Sequence, residues 1–217
     1  MTASYDFSLD AGKAALLVVD LQRGFCDRQV SDDLGFDGGD HFWRRVDSQV
    51  IPNARRLIAA ARAAGVEVIY TVIEALTADG RDRSLDHKRS DFLIPKGSAG
   101  GQVLPAIAPQ GDEMVLPKSA SGIFNATNID YLLHNLGVER LCVFGVYSHQ
   151  CVESAVRDAA DRGYLVTLVS DACAAKTPEQ EAATAEGMAA YARVAATDRV
   201  LKELRPRQRG AAGVSAA

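Results

Sequence analysis

Leu141-Cys142-Val143-Phe144-Gly145-Val146-Tyr147-Ser148-His149-Gln150-Cys151-Val152-Glu153-Ser154-Ala155 passes from an apolar run through a short turn into a segment of helical period. The apolar run, within Arg140 to Val146, reads as a buried strand. Val152, Ala155, Val156 and Ala159 then recur at three- and four-residue spacing, and Gly163 stops the pattern, so Val152 to Arg162 reads as a helix. Cys151 therefore stands where a strand ends and a helix begins. The unpaired N–H groups and the positive end of the helix dipole favour an anion there. That anion is either the thiolate or an oxyanion forming beside it.

Outward from this stretch the strand–helix alternation repeats. Ala14 to Val19 is a continuous apolar run of the kind a central parallel strand needs, and it ends in Asp20. Residues 21–48, with Gly24, Gly35, Gly38 and Gly39, read as a long irregular connection. Pro52 opens a helix over Asn53 to Ala64, and Gly65 stops it. Val66 to Val72 is a second strand. Residues 73–100 form another long polar connection, and 102–108 one or two helical turns. Glu113 to Leu116 is a third strand, running into Pro117-Lys118. Thr127 caps a helix to Asn135, Leu165 to Val169 is the strand after Gly163, and Pro178 to Tyr191 is a helix. Arg193 to Ala196 makes a sixth strand and Asp198 to Leu204 a last helix. The pattern predicts an α/β protein of three layers, α/β/α, with a mostly parallel six-stranded sheet, as a single domain over 1–204 and a disordered tail over 205–217.

Composition narrows the function. A chain of 217 residues, 47% hydrophobic and 24% charged, is long enough to bury a sizeable core. A net charge of −4 presents no basic field to nucleic acid or anionic lipid. No apolar run approaches the ~20 residues of a membrane helix. The polar N-terminal stretch lacks a signal-peptide pattern, so a cytoplasmic location is expected. The cysteines Cys26, Cys142, Cys151 and Cys173 form no C-x-x-C pair, and the histidines His41, His87, His134 and His149 are scattered. Neither a metal nor another cofactor is therefore expected.

In parallel sheets, sites lie beyond the carboxyl ends of the strands. Asp20, Lys118 and Cys151 each stand at or just past such an end. A thiol becomes a good nucleophile when a base takes its proton or a cation stabilises the thiolate. Asp20 can be that base and Lys118 that cation, while main-chain N–H groups in the Tyr147–Cys151 turn can receive an oxyanion. Singly, each residue also has a structural role: Asp as a turn residue, Lys as a solvated surface group, Cys as an inert core residue.

At these residues the sequence resembles the isochorismatase-like cysteine hydrolases, which include nicotinamidases and the amidohydrolases of N-carbamoylsarcosine, ureidoacrylate and biuret. The resemblance rests on Ala14 to Gln22, on Leu116-Pro117-Lys118 with Phe124 to Thr127, on Phe144 to Glu153, and on Arg157 to Ala172. It implies a Rossmann-like hydrolase fold and a triad with Cys151 as nucleophile, Asp20 as general base and Lys118 as electrostatic partner. It further implies a cis peptide at Val146–Tyr147, an oxyanion hole from the N–H groups of Tyr147 and Cys151, and assembly as a homodimer or homotetramer. Members that hydrolyse the vinyl ether of isochorismate generally lack the cysteine, so C–N hydrolysis is the expected reaction. Two departures stand out: Ser148-His149 replaces the family's Thr and Asp or Asn, and Glu181 stands roughly where many relatives carry His. The nicotinamidase metal motif is missing between residues 70 and 90.

The expected substrate is a small amide or ureide, hydrolysed through a thioester. Phe25, Glu74, Phe124, Tyr147 and His149 are candidate substrate contacts, and Phe36 and Trp43 further apolar walls. Arg81, Arg83, Lys88 and Arg89 form either a carboxylate site or a solvated face. Three alternatives stay open: an isochorismatase-type or other small-molecule hydrolase of the same fold, a non-catalytic binding relative, and a dinucleotide- or flavodoxin-type protein. The last lacks a glycine-rich turn after the first strand.

Overall fold

Six parallel strands form one sheet in the computed structural model, which describes residues 5–204. They are β1 Ala14–Val19, β2 Glu67–Ile73, β3 Met114–Lys118, β4 Arg140–Val146, β5 Leu165–Ala174 and β6 Arg193–Ala195, in the order β3-β2-β1-β4-β5-β6. The sheet is wholly parallel rather than mostly so. The expected disorder over 205–217 lies outside the described residues.

The helices are α1 Arg23–Cys26, α2 Arg28–Asp33, α3 Gly39–Arg45, α4 Ile51–Ala64, α5 Leu85–Arg89, α6 Ile123–Ala126, α7 Ile129–Asn135, α8 Glu153–Asp161, α9 Pro178–Met188 and α10 Thr197–Glu203. The direction in which successive strands are added to the sheet reverses between β1 and β4. Right-handed crossovers to either side of that point put successive helices on opposite faces. Accordingly α4 packs with α10, and α8 with α6 and α9. Buried on both faces, β1 and β4 need the unbroken apolar runs that mark them in the sequence.

Residues 21–48 are largely helical, contrary to the irregular connection expected. Glycines there mark boundaries rather than a loop: Gly35 and Gly39 take positive φ, and Gly39 starts α3. Pro52 does not open a helix either. One continuous helix runs from α3 through a wide turn at Val46–Val50 into α4. A proline ring clashes with the carbonyl four residues before it, and widening the preceding turn relieves that clash. β5 is longer than the five residues expected. It carries a bulge, with Leu168 opposite Val143 but Cys173 opposite Gly145. The bulge is tied down by Arg45, which donates to Ser170 O and Cys173 O, and by Asn53, which donates to Asp171 O. Helix α9 stops at Met188, short of Tyr191. Thr127 precedes α7 and caps it as an ST-turn, its Oγ1 accepting from Ile129 N.

β1 and β4 leave no room for a side chain at Gly145, which pairs with Val19. Its φ is +137°, and a Cβ there would lie 1.9 Å from Val19 O. Backbone cannot yield as a side-chain tip can. Gly145→Ala is therefore expected to destabilise the fold by about 3 kcal/mol or more, or to prevent folding, as measured by urea unfolding. An unchanged midpoint would contradict this account of the sheet centre.

Candidate active site

The carboxyl ends of β1, β3 and β4 place Asp20, Lys118 and Cys151 together. Asp20 and Lys118 are wholly buried and Cys151 nearly so. β3 is not next to β1, because β2 lies between them. Strands sit ~4.8 Å apart, so Lys118 must span about two spacings. Its long side chain does so across the end of β2. Its Nζ lies 2.8 Å from Asp20 Oδ2, 3.1 Å from Ala120 O and 3.4 Å from Cys151 Sγ. Three donors thus meet three acceptors, and the buried ammonium is fully satisfied. Burial disfavours its charge, but Asp20 and Cys151 outweigh that and hold Lys118 above the ordinary lysine value.

Asp20 is held as firmly. It takes φ +53°, a left-handed conformation that few residues other than glycine and Asn or Asp adopt. Its N–H donates to Thr71 O, and Thr71 Oγ1 donates to its Oδ1 at 2.6 Å. The other oxygen faces Lys118. Cys151 lies in a wide helical turn, Ser148–Val152, directly before α8. The Val146–Tyr147 peptide preceding that turn is cis. Burial pushes the Cys151 thiol up to about 12, with the Lys118 charge opposing the rise. The resting group is a thiol, so nucleophilic chemistry here needs a base beside it.

Above the cysteine opens a cavity of about 910 Å³. Phe25, Phe36, Phe92 and Tyr147 make its aromatic wall, with Phe25 stacked on Phe92 at 5.7 Å and edge-on to Phe36 at 5.1 Å. Of the candidate substrate contacts, Phe25 and Tyr147 line this cavity and Glu74, Phe124 and His149 do not. Glu74 instead braces the long connection, its Oε1 accepting from Gly97 N at 2.7 Å. Phe124 packs under the Arg162 guanidinium, 4.7 Å from its ring centre, and near Tyr164. His149 has its Nδ1 sealed from solvent without a hydrogen-bond partner among the described residues. Trp43 packs against Phe42 and lies under Arg28. Glu181 binds His41 at 2.9 Å and Arg45 at 3.3 Å, which ties α9 to α3.

The basic run at 81–89 is neither a carboxylate site nor wholly a solvated face. Arg83 donates to Gly80 O and Phe92 O and so shapes the loop that delivers Phe92 to the cavity. Arg81 pairs with Asp79 in solvent. The same run holds His87, which is buried and lines the cavity. Sequence reading passed over three supporting residues. Thr71 looks like any strand threonine. His87 is hidden among charges. Gln22 follows Asp20-Leu21 and is fully buried. Its amide exchanges hydrogen bonds with Ile73 N and O and donates to Gly100 O, replacing a missing strand partner. A polar residue three positions past the end of an apolar strand was the one available signal for it. Among the described residues no His, Cys, Asp and Glu side chains gather in threes as a metal site would require.

The isochorismatase domain matches residues 14–199 of this chain. Ureidoacrylate amidohydrolase RutB of Pantoea ananatis is 34% identical over 185 residues, covering 77% of this chain and 71% of its own. A cysteine hydrolase of Pseudomonas syringae pv. phaseolicola shares the fold, with a TM-score of 0.80 at 24% identity over 94% of this chain and 98% of its own. N-carbamoylsarcosine amidase of Thermoplasma acidophilum superposes with a TM-score of 0.68 at 25% identity, over 86% of this chain and 97% of its own.

The raised thiol has a consequence for stability. Between the ordinary thiol value of 9.0 and about 12, the unfolded chain loses the Cys151 proton and the folded chain keeps it. The stabilisation is complete below pH 9 and is lost as pH rises towards 12. The other three thiols, also buried and raised, act in the same direction. Unfolding free energy is expected to fall above pH 9, and to fall less steeply in Cys151→Ala, by up to ~1.4 kcal/mol per pH unit. Parallel slopes for the two proteins would show that Cys151 is not buried as a thiol.

Proposed function

The chain belongs to the isochorismatase family, and on that premise we propose that it is a cysteine-dependent amidohydrolase cleaving a C–N bond of a small amide or ureide. The carrying observation is the position of Lys118 Nζ, 2.8 Å from Asp20 and 3.4 Å from Cys151, beneath a cavity lined by aromatic rings. Two similar proteins are named as an amidohydrolase of ureidoacrylate and an amidase of N-carbamoylsarcosine, both small ureides.

In this reading the substrate carbonyl sits over Cys151. Asp20 takes the thiol proton as sulfur attacks the carbonyl carbon and the S–C bond forms. Lys118 makes that transfer feasible despite burial, because its fixed charge stabilises the developing thiolate and its hydrogen bond keeps Asp20 aimed. The carbonyl oxygen becomes an oxyanion held by the N–H groups of Tyr147 and Cys151. Collapse breaks the C–N bond, and Asp20 returns its proton to the departing nitrogen, which leaves as ammonia or an amine. Water then enters, Asp20 takes one of its protons, and hydroxide attacks the thioester. The acid leaves and the thiol is restored. The buried cysteine limits water near the sulfur before the amine has gone. The same reading includes a single hydrolase domain over 1–204, assembly as a homodimer or homotetramer and a cytoplasmic location.

The test is ammonia release from a panel of amides and ureides. Cys151→Ala is expected to remove turnover to background, and Asp20→Asn to lower kcat by ~10²–10⁴-fold. Undiminished turnover in Cys151→Ala would overturn the mechanism.

A further inference from the structure

His87 is a buried titratable side chain of the cavity that the chemistry above does not use. It stands on α5, within the long connection between β2 and β3, and its side chain is 8% exposed. The exposure it retains is towards the cavity that holds Cys151. Its ring is set edge-on against Phe92 at 5.0 Å, and Phe92 in turn stacks on Phe25. Neither ring nitrogen has a hydrogen-bond partner among the described residues, and the nearest carboxylate oxygen, on exposed Asp86, is 3.8 Å from Nε2. Neither nitrogen is among the side-chain atoms sealed from solvent without a partner, so a molecule in the cavity can reach the ring and pair with it.

We propose that His87 is a specificity-determining residue that hydrogen-bonds the polar end of the substrate remote from the scissile carbonyl, so that the site prefers ureides and other doubly polar planar amides over plain alkyl amides. The inference rests on the proposed amidohydrolase reading and refines its substrate class. The aromatic wall suits a flat molecule, and its only polar side-chain atom is the Tyr147 hydroxyl, which has no hydrogen-bond partner among the described residues. A neutral imidazole has one donor and one acceptor nitrogen, and the nitrogen that faces the cavity can pair with either the C=O or an N–H of a urea group. Burial holds His87 below the ordinary histidine value, and Asp86 opposes that shift, so the neutral ring is the form present at neutral pH. A hydrocarbon tail placed against it would leave that nitrogen unpaired. Sites built to hydrogen-bond a substrate reject analogues lacking the group for this reason.

The experiment compares biuret with pentanamide, an alkyl amide of the same heavy-atom count, in the parent, His87→Leu and His87→Asn. Thermal melts establish folding, and His87→Phe replaces the leucine variant if that one does not fold. His87→Leu is expected to raise KM for biuret about tenfold, with the loss falling on KM rather than kcat, and to erase most of the preference for biuret over pentanamide. His87→Asn, which keeps a donor and an acceptor, is expected to restore most of it. A second readout needs no turnover: biuret should protect Cys151 from iodoacetamide, at about tenfold higher concentration in His87→Leu. An unchanged biuret KM and protection in His87→Leu, an asparagine variant as impaired as the leucine one, or no protection of the parent would each overturn the role of His87. A parent that biuret protects but that releases ammonia from no member of the amide and ureide panel would sink the amidohydrolase reading while leaving this assignment standing.

Discussion

The buried ion pair between Lys118 and Asp20 is the constraint on which the rest of the site depends. Two opposite charges removed from water cost several kcal/mol each before their attraction offsets the loss. The pair is tolerable because each remaining valence is met: Thr71 on one carboxylate oxygen, Lys118 on the other, and Ala120 O and the sulfur on the ammonium. Removing either partner would leave a lone charge in the interior, typically at a cost of ~3–5 kcal/mol. A surface version of the same pair would be cheaper to fold and of little use to a thiol. Burial raises the thiol, so in the proposed chemistry a base and a cation that are themselves fixed and dry draw its proton away.

That requirement explains the architecture around the pair. Lys118 comes from an edge strand two positions from β1, and β2 is therefore a spacer as well as a structural strand. Thr71 at its end is what Asp20 meets on the way. The connections that follow β1 and β2 are long, yet they are pinned through polar groups set inside the protein: Gln22 to Ile73 and Gly100, Glu74 to Gly97, Arg83 to Phe92. These bonds hold the aromatic wall over the cysteine. Rigid loops of this kind can carry binding residues because main-chain positions, rather than solvent, satisfy their polar anchors.

Misreadings in the sequence share one physical cause. Gly24 and Gly39 looked like loop residues, and Pro52 looked like a helix start, because local preference was the only information available. In the fold, the chain crosses Pro52 by widening a single turn, and packing along the sheet rewards the continuous helix. Glu74 and Phe124 were plausible pocket residues by their distance from Ile73 and Lys118. Side-chain direction decided otherwise, and direction depends on the loops that follow. His87 was lost among charged neighbours because a run of Asp, Lys and Arg reads as solvated whichever member is turned inward.

By itself the sequence determined the strand–helix alternation, the buried central strands and the three residues at strand ends. Those features are local: apolar runs, helical spacing and breakers act over a few residues. Family membership was equally legible, since it resides in short motifs in a set order. Only the tertiary structure decided that Lys118 reaches across an intervening strand, that Thr71 and Gln22 complete the polar shell, and that Phe36, Phe92 and His87 share the cavity with Cys151. Strand order, loop path and side-chain direction come from burying all the elements at once, and no window along the chain carries that information.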